Sequence, residues 1–308
     1  MEICKGLPKI KNKTAISIGK FDGVHLGHNA LIEELVLTAD LNELESVVLT
    51  FNPYPEEYFA GKEIPHLSTR GEMISLMEEI GVDRLVTLDF DEHIANLSAR
   101  DFVKDILIDK LNVSVVVCGS DVTFGKDKEG NSEFLEKISE EFGFDVEIID
   151  KIEYNKVTVS SSEIIKALRE GRMEDASEML GYDYYHYGKV VKGQGLAHQF
   201  HLPTVNINPV EKRVLPKYGV YLTVVETEDG SEFHAVSNVG CRPTVSDEKT
   251  VNIESHMIDC PEGFDFYDKR IRVYFLKFLR EEKKFDNVSD LFKQIGNDVD
   301  SAKRFFNI

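Results

Sequence analysis

Two hydrophobic rhythms divide this chain. Over residues 14–149, short apolar runs alternate with stretches in which apolar positions recur every three or four residues. Ala15, Ile16 and Ile18, then Val47, Val48 and Leu49, then residues 84–90, then Val115, Val116 and Val117, and finally residues 145–149 read as strands. Between them the spacing predicts helices. Leu31, Ile32 and Leu35 make one stripe, and Met73, Leu76, Met77 and Ile80 another, with Gly81 placed to end it. Ser98-Ala99-Arg100-Asp101 is a helix-start signal before Phe102, Ile106 and Leu111, and residues 134–142 add a further helix. Such alternation implies an α/β layer with a parallel sheet, and the polar loop 119–131 then falls at its carboxyl edge, where ligands bind. Ser160, Ser161 and Ser162 precede Ile164, Ile165 and Leu168 and cap a helix.

Near residues 182–187 the period changes. Residues 188–192, 204–207, 219–226, 232–239, 251–257 and 270–279 read as short antiparallel strands, with Asp229-Gly230 as a hairpin turn, and predict a small closed barrel. Phe292, Ile295, Val299, Ala302 and Phe306 then form a helical stripe to lay against it, with Ser289 as the expected cap. The expected architecture is α/β plus all-β, with domains over 1–184 and 185–308.

Composition narrows the partners. The 36 basic against 55 acidic residues give a net charge of −19, which argues against a nucleic-acid or membrane-surface protein, since both need a basic field. Any anionic small-molecule substrate must therefore be held locally. Cys4, Cys118, Cys241 and Cys260 form no CxxC pair, and Cys118 reads as core. With no signal-peptide pattern and no membrane-length apolar run, a cytoplasmic location is expected. Oligomeric state is not legible.

Gly19-Lys20-Phe21-Asp22-Gly23-Val24-His25-Leu26-Gly27-His28 joins the first strand to the first helix. Two histidines three residues apart sit on one side of a helix start, where free N–H groups and the macrodipole favour phosphate. Adenylyl or cytidylyl transfer suits this arrangement, because donors aimed at the departing pyrophosphate lower the barrier. The segment resembles the HxGH signature of the nucleotidyltransferase superfamily, in the form found in the FMN adenylyltransferase half of bacterial bifunctional riboflavin kinase/FAD synthetases. That resemblance implies a Rossmann-like domain. It also implies catalytic His25 and His28, ATP contacts from Gly19, Phe21, Asp22, Gly23, Gly27, Ser160, Ser161 and Ser162, and flavin contacts from Asn52, Asp121 and Phe124.

Leu202-Pro203-Thr204-Val205-Asn206, Tyr218-Gly219-Val220-Tyr221, the segment 238–244, Asn252-Ile253-Glu254-Ser255-His256 and the segment 279–285 together resemble the riboflavin kinase module. Alone, Glu254 would be an ordinary solvent-facing strand carboxylate. The resemblance makes it the base for the riboflavin 5′-hydroxyl, with Thr204 and Asn206 on one strand face as Mg²⁺ ligands. It also implies phosphate contacts from Gly188, Gly193 and Gly195, and flavin contacts from Arg242 and Arg280. ATP, riboflavin, FMN and FAD are then the substrates and products.

The chain departs from the family's pattern in both halves. Tyr54 stands where a histidine is expected; it can hydrogen-bond a phosphate but carries no positive charge. Ile165 replaces an arginine, with Lys166 following, and Val122-Thr123 replace an aromatic–arginine pair. Ala197, His198 and His201 replace two glycines and an arginine of the kinase loop. Three alternatives therefore stay open: one retained activity of the two, a non-catalytic flavin-binding regulator, or a nucleotidyltransferase for another alcohol phosphate.

Overall fold

The computed structural model describes the chain except residues 192–202, 211, 243–249, 262, 267 and 286 and the side chains of Arg242 and Thr250. Gly193, Gly195, Ala197, His198 and His201, and the Arg242 side chain, lie outside the described residues. The chain forms two compact units, Met1–Ser161 and Ser162–Ile308.

In the first unit, β1 (Glu2–Lys5), β2 (Thr14–Ile18), β3 (Glu45–Asn52), β4 (Arg84–Asp89), β5 (Val113–Gly119) and β6 (Asp145–Ile149) form a sheet of order β1-β4-β3-β2-β5-β6. Every pairing is parallel. Alternate strand residues serve opposite faces. Ala15, Val48, Val115 and Val117 pack with Leu31, Ile32 and Leu35 of α1 (Leu26–Leu41), the later helix Arg70–Ile80 contributing Met73 and Met77. Ile16, Val47, Leu49, Val116 and Cys118 pack on the other face with Phe102, Val103, Ile106, Leu135 and Ile138. Burial on both sides is why these strands are apolar runs rather than alternating ones.

The remaining helices of this unit are α2 (Pro55–Ala60), α3 (Arg70–Ile80), α4 (Glu92–Asn96), α5 (Ala99–Asp101, continuing as a wider π turn over Phe102–Ile108) and α6 (Ser132–Phe142). Gly81 ends α3 at φ 104° and the Ser98 hydroxyl accepts the Asp101 N–H, as the sequence predicts. The strand β1, the helices α2 and α4, and a two-stranded hairpin of β7 (Glu153–Tyr154) and β8 (Val157–Thr158) carry no such periodic signal. They are too short to show a period, and β1 is a mostly exposed edge strand. Strand order reverses on either side of β2, so the loops after β2 and β5 open at the switch point of the sheet.

The second unit begins at Ser162, one residue into α7 (Ser161–Glu170), and continues with α8 (Met173–Leu180). The change of period at 184/185 marks the entry to the strands. β9 (Tyr185–Val191), β10 (Thr204–Ile207), β11 (Gly219–Thr227), β12 (Glu232–Arg242), β13 (Thr250–Met257) and β14 (Arg270–Arg280) close into an antiparallel barrel of order β10-β13-β12-β11-β14-β9. Gly230, at φ 81°, makes the expected hairpin turn between β11 and β12. The final helix, α9 (Val288–Phe306), lays Val299 and Ala302 on Val220, Leu222 and Val236 of the barrel wall. Its cap is Asn287, whose side chain accepts the Asp290 N–H, so Ser289 falls inside the first turn instead.

Candidate active sites

The loop after β2 is strained and tightly held. Phe21 and Val24 adopt positive φ (53° and 38°), a conformation costly for side chains of their shape, and both are buried. Asp22, 1% exposed, accepts the N–H groups of Leu67 (2.8 Å) and Ser68 (3.2 Å) with Oδ1. The Ser68 hydroxyl accepts the Gly23 N–H at 2.9 Å, and the Ser161 hydroxyl donates to the Asp22 carbonyl at 3.1 Å. Asp22 and Ser161 thus brace the loop from beneath. Gly19 lies against the Phe21 ring, at 3.0 Å from where a Cβ would sit.

His25 is the cap residue of α1, and its Nδ1 accepts the His28 N–H at 3.3 Å. An acceptor Nδ1 places the proton of neutral His25 on Nε2, leaving that N–H as a donor. The two imidazoles stack with centroids 3.7 Å apart and planes at 14°. Burial holds His25 down at about 4, against the pull of Asp22 and Asp121. Burial, then His25 and the Lys20 charge, keep His28 well below its ordinary value. Two stacked imidazolium ions would repel, so the pair stands neutral. Gly27 makes the stack possible: a Cβ there would lie 3.3 Å from His25 Cε1.

Tyr54 is buried, and its hydroxyl donates to Met73 Sδ at 3.8 Å instead of facing a phosphate. Burial pushes its phenol up to about 12. Two cations and an imidazole surround it. Lys20 Nζ and the Arg70 guanidinium lie 5.3 and 5.4 Å from its ring centroid, and the His66 ring meets it edge-on at 4.9 Å. His66 contacts Glu57 at 3.0 Å and Asp22 at 3.6 Å; burial opposes its charge, but these carboxylates prevail and raise it. Arg70 donates to Phe51 O (2.9 Å) and Asn52 Oδ1 (3.2 Å), which places Asn52 at the exposed end of β3. Asp121 is exposed and pairs with Lys151 at 3.0 Å, whereas the Phe124 ring is buried against Phe102 and Phe134. Ser160 is half-buried. In the second unit Ser162 is exposed and Lys166 pairs with Glu163.

On the barrel, Thr204 lies opposite His256, and Asn206 opposite Glu254, so the four share one face. Thr204 Oγ1 is 2.8 Å from His256 Nδ1, and Asn206 Oδ1 accepts from Asn252 Nδ2 at 3.0 Å. Burial lowers His256, with Glu254 and Asp298 opposing. Asn252 Oδ1 is buried without a hydrogen-bond partner among the described residues. This face gathers neutral and anionic oxygens, the donor set a hard cation prefers. Gly188 is spent on strand packing, since a Cβ there would meet Asn208 O at 2.8 Å. Arg280 binds Asp298 through Nε (3.0 Å) and Nη2 (2.7 Å) and thereby ties α9 to β14.

Models of two families match in tandem: FAD synthetase over residues 7–163 and riboflavin kinase over residues 180–306. A bifunctional riboflavin kinase/FMN adenylyltransferase of Pseudomonas fluorescens is 34% identical over 306 residues, covering 98% of this chain and 97% of its own. Its counterpart in Escherichia coli strain K12 is 33% identical over 294 residues, covering 95% and 93%. The chain belongs to the bifunctional riboflavin kinase/FMN adenylyltransferase family. A crystal structure named for a macrolide-efflux protein of Streptococcus pneumoniae is also similar, with TM-score 0.84 and 28% identity over 98% of this chain and 99% of that one. Among the described residues here, no helix is long and apolar enough to cross a membrane.

Within this family frame, sequence reading passed over Lys20, His66, Arg70 and His256. Lys20 and His256 stand inside the quoted motifs, so their positions were a usable signal. His66 and Arg70 had none, because their association with Tyr54 depends on contacts 12 and 16 residues away along the chain.

Proposed function

We propose that this chain makes FMN and then FAD at two separate sites. The barrel transfers the γ-phosphoryl group of ATP to the 5′-hydroxyl of riboflavin, giving FMN and ADP. The sheet unit transfers the adenylyl group of a second ATP to the FMN phosphate, giving FAD and pyrophosphate. One observation carries this reading: a stacked histidine pair at a helix start and a Thr204–Asn206–Glu254 strand face occur in one chain that matches both family models. The double match also favours two activities over a single one or a non-catalytic regulator.

In adenylyl transfer, an FMN phosphate oxygen attacks the α-phosphorus of ATP, and the bond to the β-phosphate oxygen breaks. The His25 Nε2–H and the His28 ring are the donors that meet the charge developing on the transferring group. Their neutrality in the resting protein leaves a proton affinity that rises as anionic phosphate arrives. In phosphoryl transfer, Glu254 accepts the hydroxyl proton as the riboflavin oxygen bonds to the γ-phosphorus and ADP departs. Thr204 and Asn206 would hold Mg²⁺, which neutralises charge on the transferring phosphates. Gly19 and Gly27 leave room for the Phe21 and His25 rings, which sets the loop and the histidine stack, and Asp22 keeps the loop in place from the 67–68 backbone.

His28→Ala is expected to lower FAD formation from FMN by about 10²–10³-fold while leaving FMN formation from riboflavin within about two-fold. Glu254→Ala should do the reverse. Separate steady-state assays of each step, with flavins resolved chromatographically, check both. Equal loss of both steps from either change would contradict two sites.

A further inference from the structure

We propose that Lys20 supplies the positive charge absent at Tyr54, binding the β- and γ-phosphates of ATP, with Glu56 holding its place until the nucleotide arrives. This deepens the adenylyl-transfer reading above and rests on it.

Lys20 stands inside the loop that joins β2 to α1, between Gly19 and Phe21. Its ammonium lies 5.3 Å from the Tyr54 ring centroid and 3.6 Å from Asp22 Oδ2, and pairs with Glu56. It is near enough to His28 to depress that imidazole. The charge therefore reaches both the histidine pair and the Tyr54 position.

The other two basic groups around Tyr54 are held more closely. Arg70 Nη2 donates to Phe51 O and Asn52 Oδ1, while its Nη1 is buried with no hydrogen-bond partner among the described residues, and His66 hydrogen-bonds Glu57 and lies 3.6 Å from Asp22. Tyr54 itself has turned its hydroxyl to Met73. Lys20 differs in two respects. Its side chain is 27% exposed, and its Glu56 partner, 48% exposed, sits in the first turn of α2, free to swing into solvent.

An exposed carboxylate gives little net stability to an ion pair, so exchanging it for a polyanionic phosphate is favourable. Departing pyrophosphate carries the largest charge in this reaction, and a lysine is a compact point charge suited to it. A different use of Lys20 competes with this one: it neutralises the buried Asp22 and merely preserves the loop. The two uses differ in which part of the nucleotide they affect. A loop defect weakens every ligand of the site, whereas loss of a β,γ-phosphate contact spares AMP.

The test follows FAD formation from FMN in the full chain, with pyrophosphate and AMP as competing inhibitors. Lys20→Met is expected to raise KM for ATP and Ki for pyrophosphate by about 10- to 100-fold, the scale of one charge-assisted contact, while Ki for AMP moves less than about two-fold. Lys20→Arg should recover most of the loss. Glu56→Gln should lower KM for ATP by about three-fold, since the competing carboxylate is gone. Riboflavin phosphorylation in the same preparations reports that the barrel is intact, and an unchanged Ki for AMP reports the same of the sheet unit. Equal loss for ATP, pyrophosphate and AMP, or no change in any, would overturn the assignment. Absence of FAD formation by the unmodified protein would instead sink the adenylyl-transfer reading beneath it.

Discussion

His25 and His28 act as a pair because of a residue with no side chain. Gly27 leaves space into which the His25 ring folds, and a Cβ there would press on that ring at 3.3–3.4 Å. Gly27→Ala is expected to displace the ring by a few tenths of an ångström and lower FAD formation roughly 10-fold, with FMN formation unchanged. Steady-state kinetics of both steps checks this, and an unaltered FAD rate would mean that the stack has slack. The motif's residue types and spacing were visible from the sequence. The stacking, the tautomer of His25 and the neutrality of both rings were not, because they arise from burial and from one backbone N–H. The same limit applies to the surroundings of Phe124 and Arg280: burial of the first ring and the tie of the second to Asp298 of α9 were not visible from the sequence.

At the scale of elements, periodicity was a good guide to the longer ones, with α8 the exception: its stripe of Met173, Ala176, Met179 and Leu180 is only two turns long and was passed over. All six barrel strands were legible, as was the stripe of α9, because each has one face that must leave water. The α9 cap was misread by two residues: Asn and Ser are both good caps, and only the entry angle of the chain chooses between them. Docking of α9 also relies on a pair no pattern reveals. Asp298 is 5% exposed and takes both Arg280 and Gln294. Asp298→Asn leaves the guanidinium half-buried without its counter-charge and is expected to cost about 3 kcal/mol. Calorimetric unfolding of the full chain should show a lowered transition, and an unshifted one would mean that the pair adds nothing to docking.

Across the whole molecule, buried imidazoles set the acid limit. Folded His25 resists protonation down to about 4 and His186, fully buried beside Arg213, down to about 3, whereas an unfolded imidazole takes its proton near 6.5. The unfolded state therefore binds more protons in that window, and stability falls as pH drops below 6.5. For His25 alone the full loss is on the order of 3 kcal/mol. His66 has the opposite sign: its value is raised, so its contribution is complete below 6.5 and fades as pH rises through the raised value. Urea unfolding midpoints are thus expected to be lower at about pH 5 than at about pH 7. Equal midpoints would mean that these histidines are not buried as described.

Chain patterning dictated the architecture of a parallel sheet followed by a barrel, and supplied the motifs from which both candidate sites are argued, since hydrophobic period and motif spacing are local properties that any fold must respect. Tertiary contact decided which polar groups became partners: Tyr54 with Met73, Asp22 with the 67–68 backbone, Arg280 with Asp298, Thr204 with His256. Charge state and hydrogen-bond direction depend on burial and on neighbours distant along the chain, and those exist only once the backbone has closed on itself.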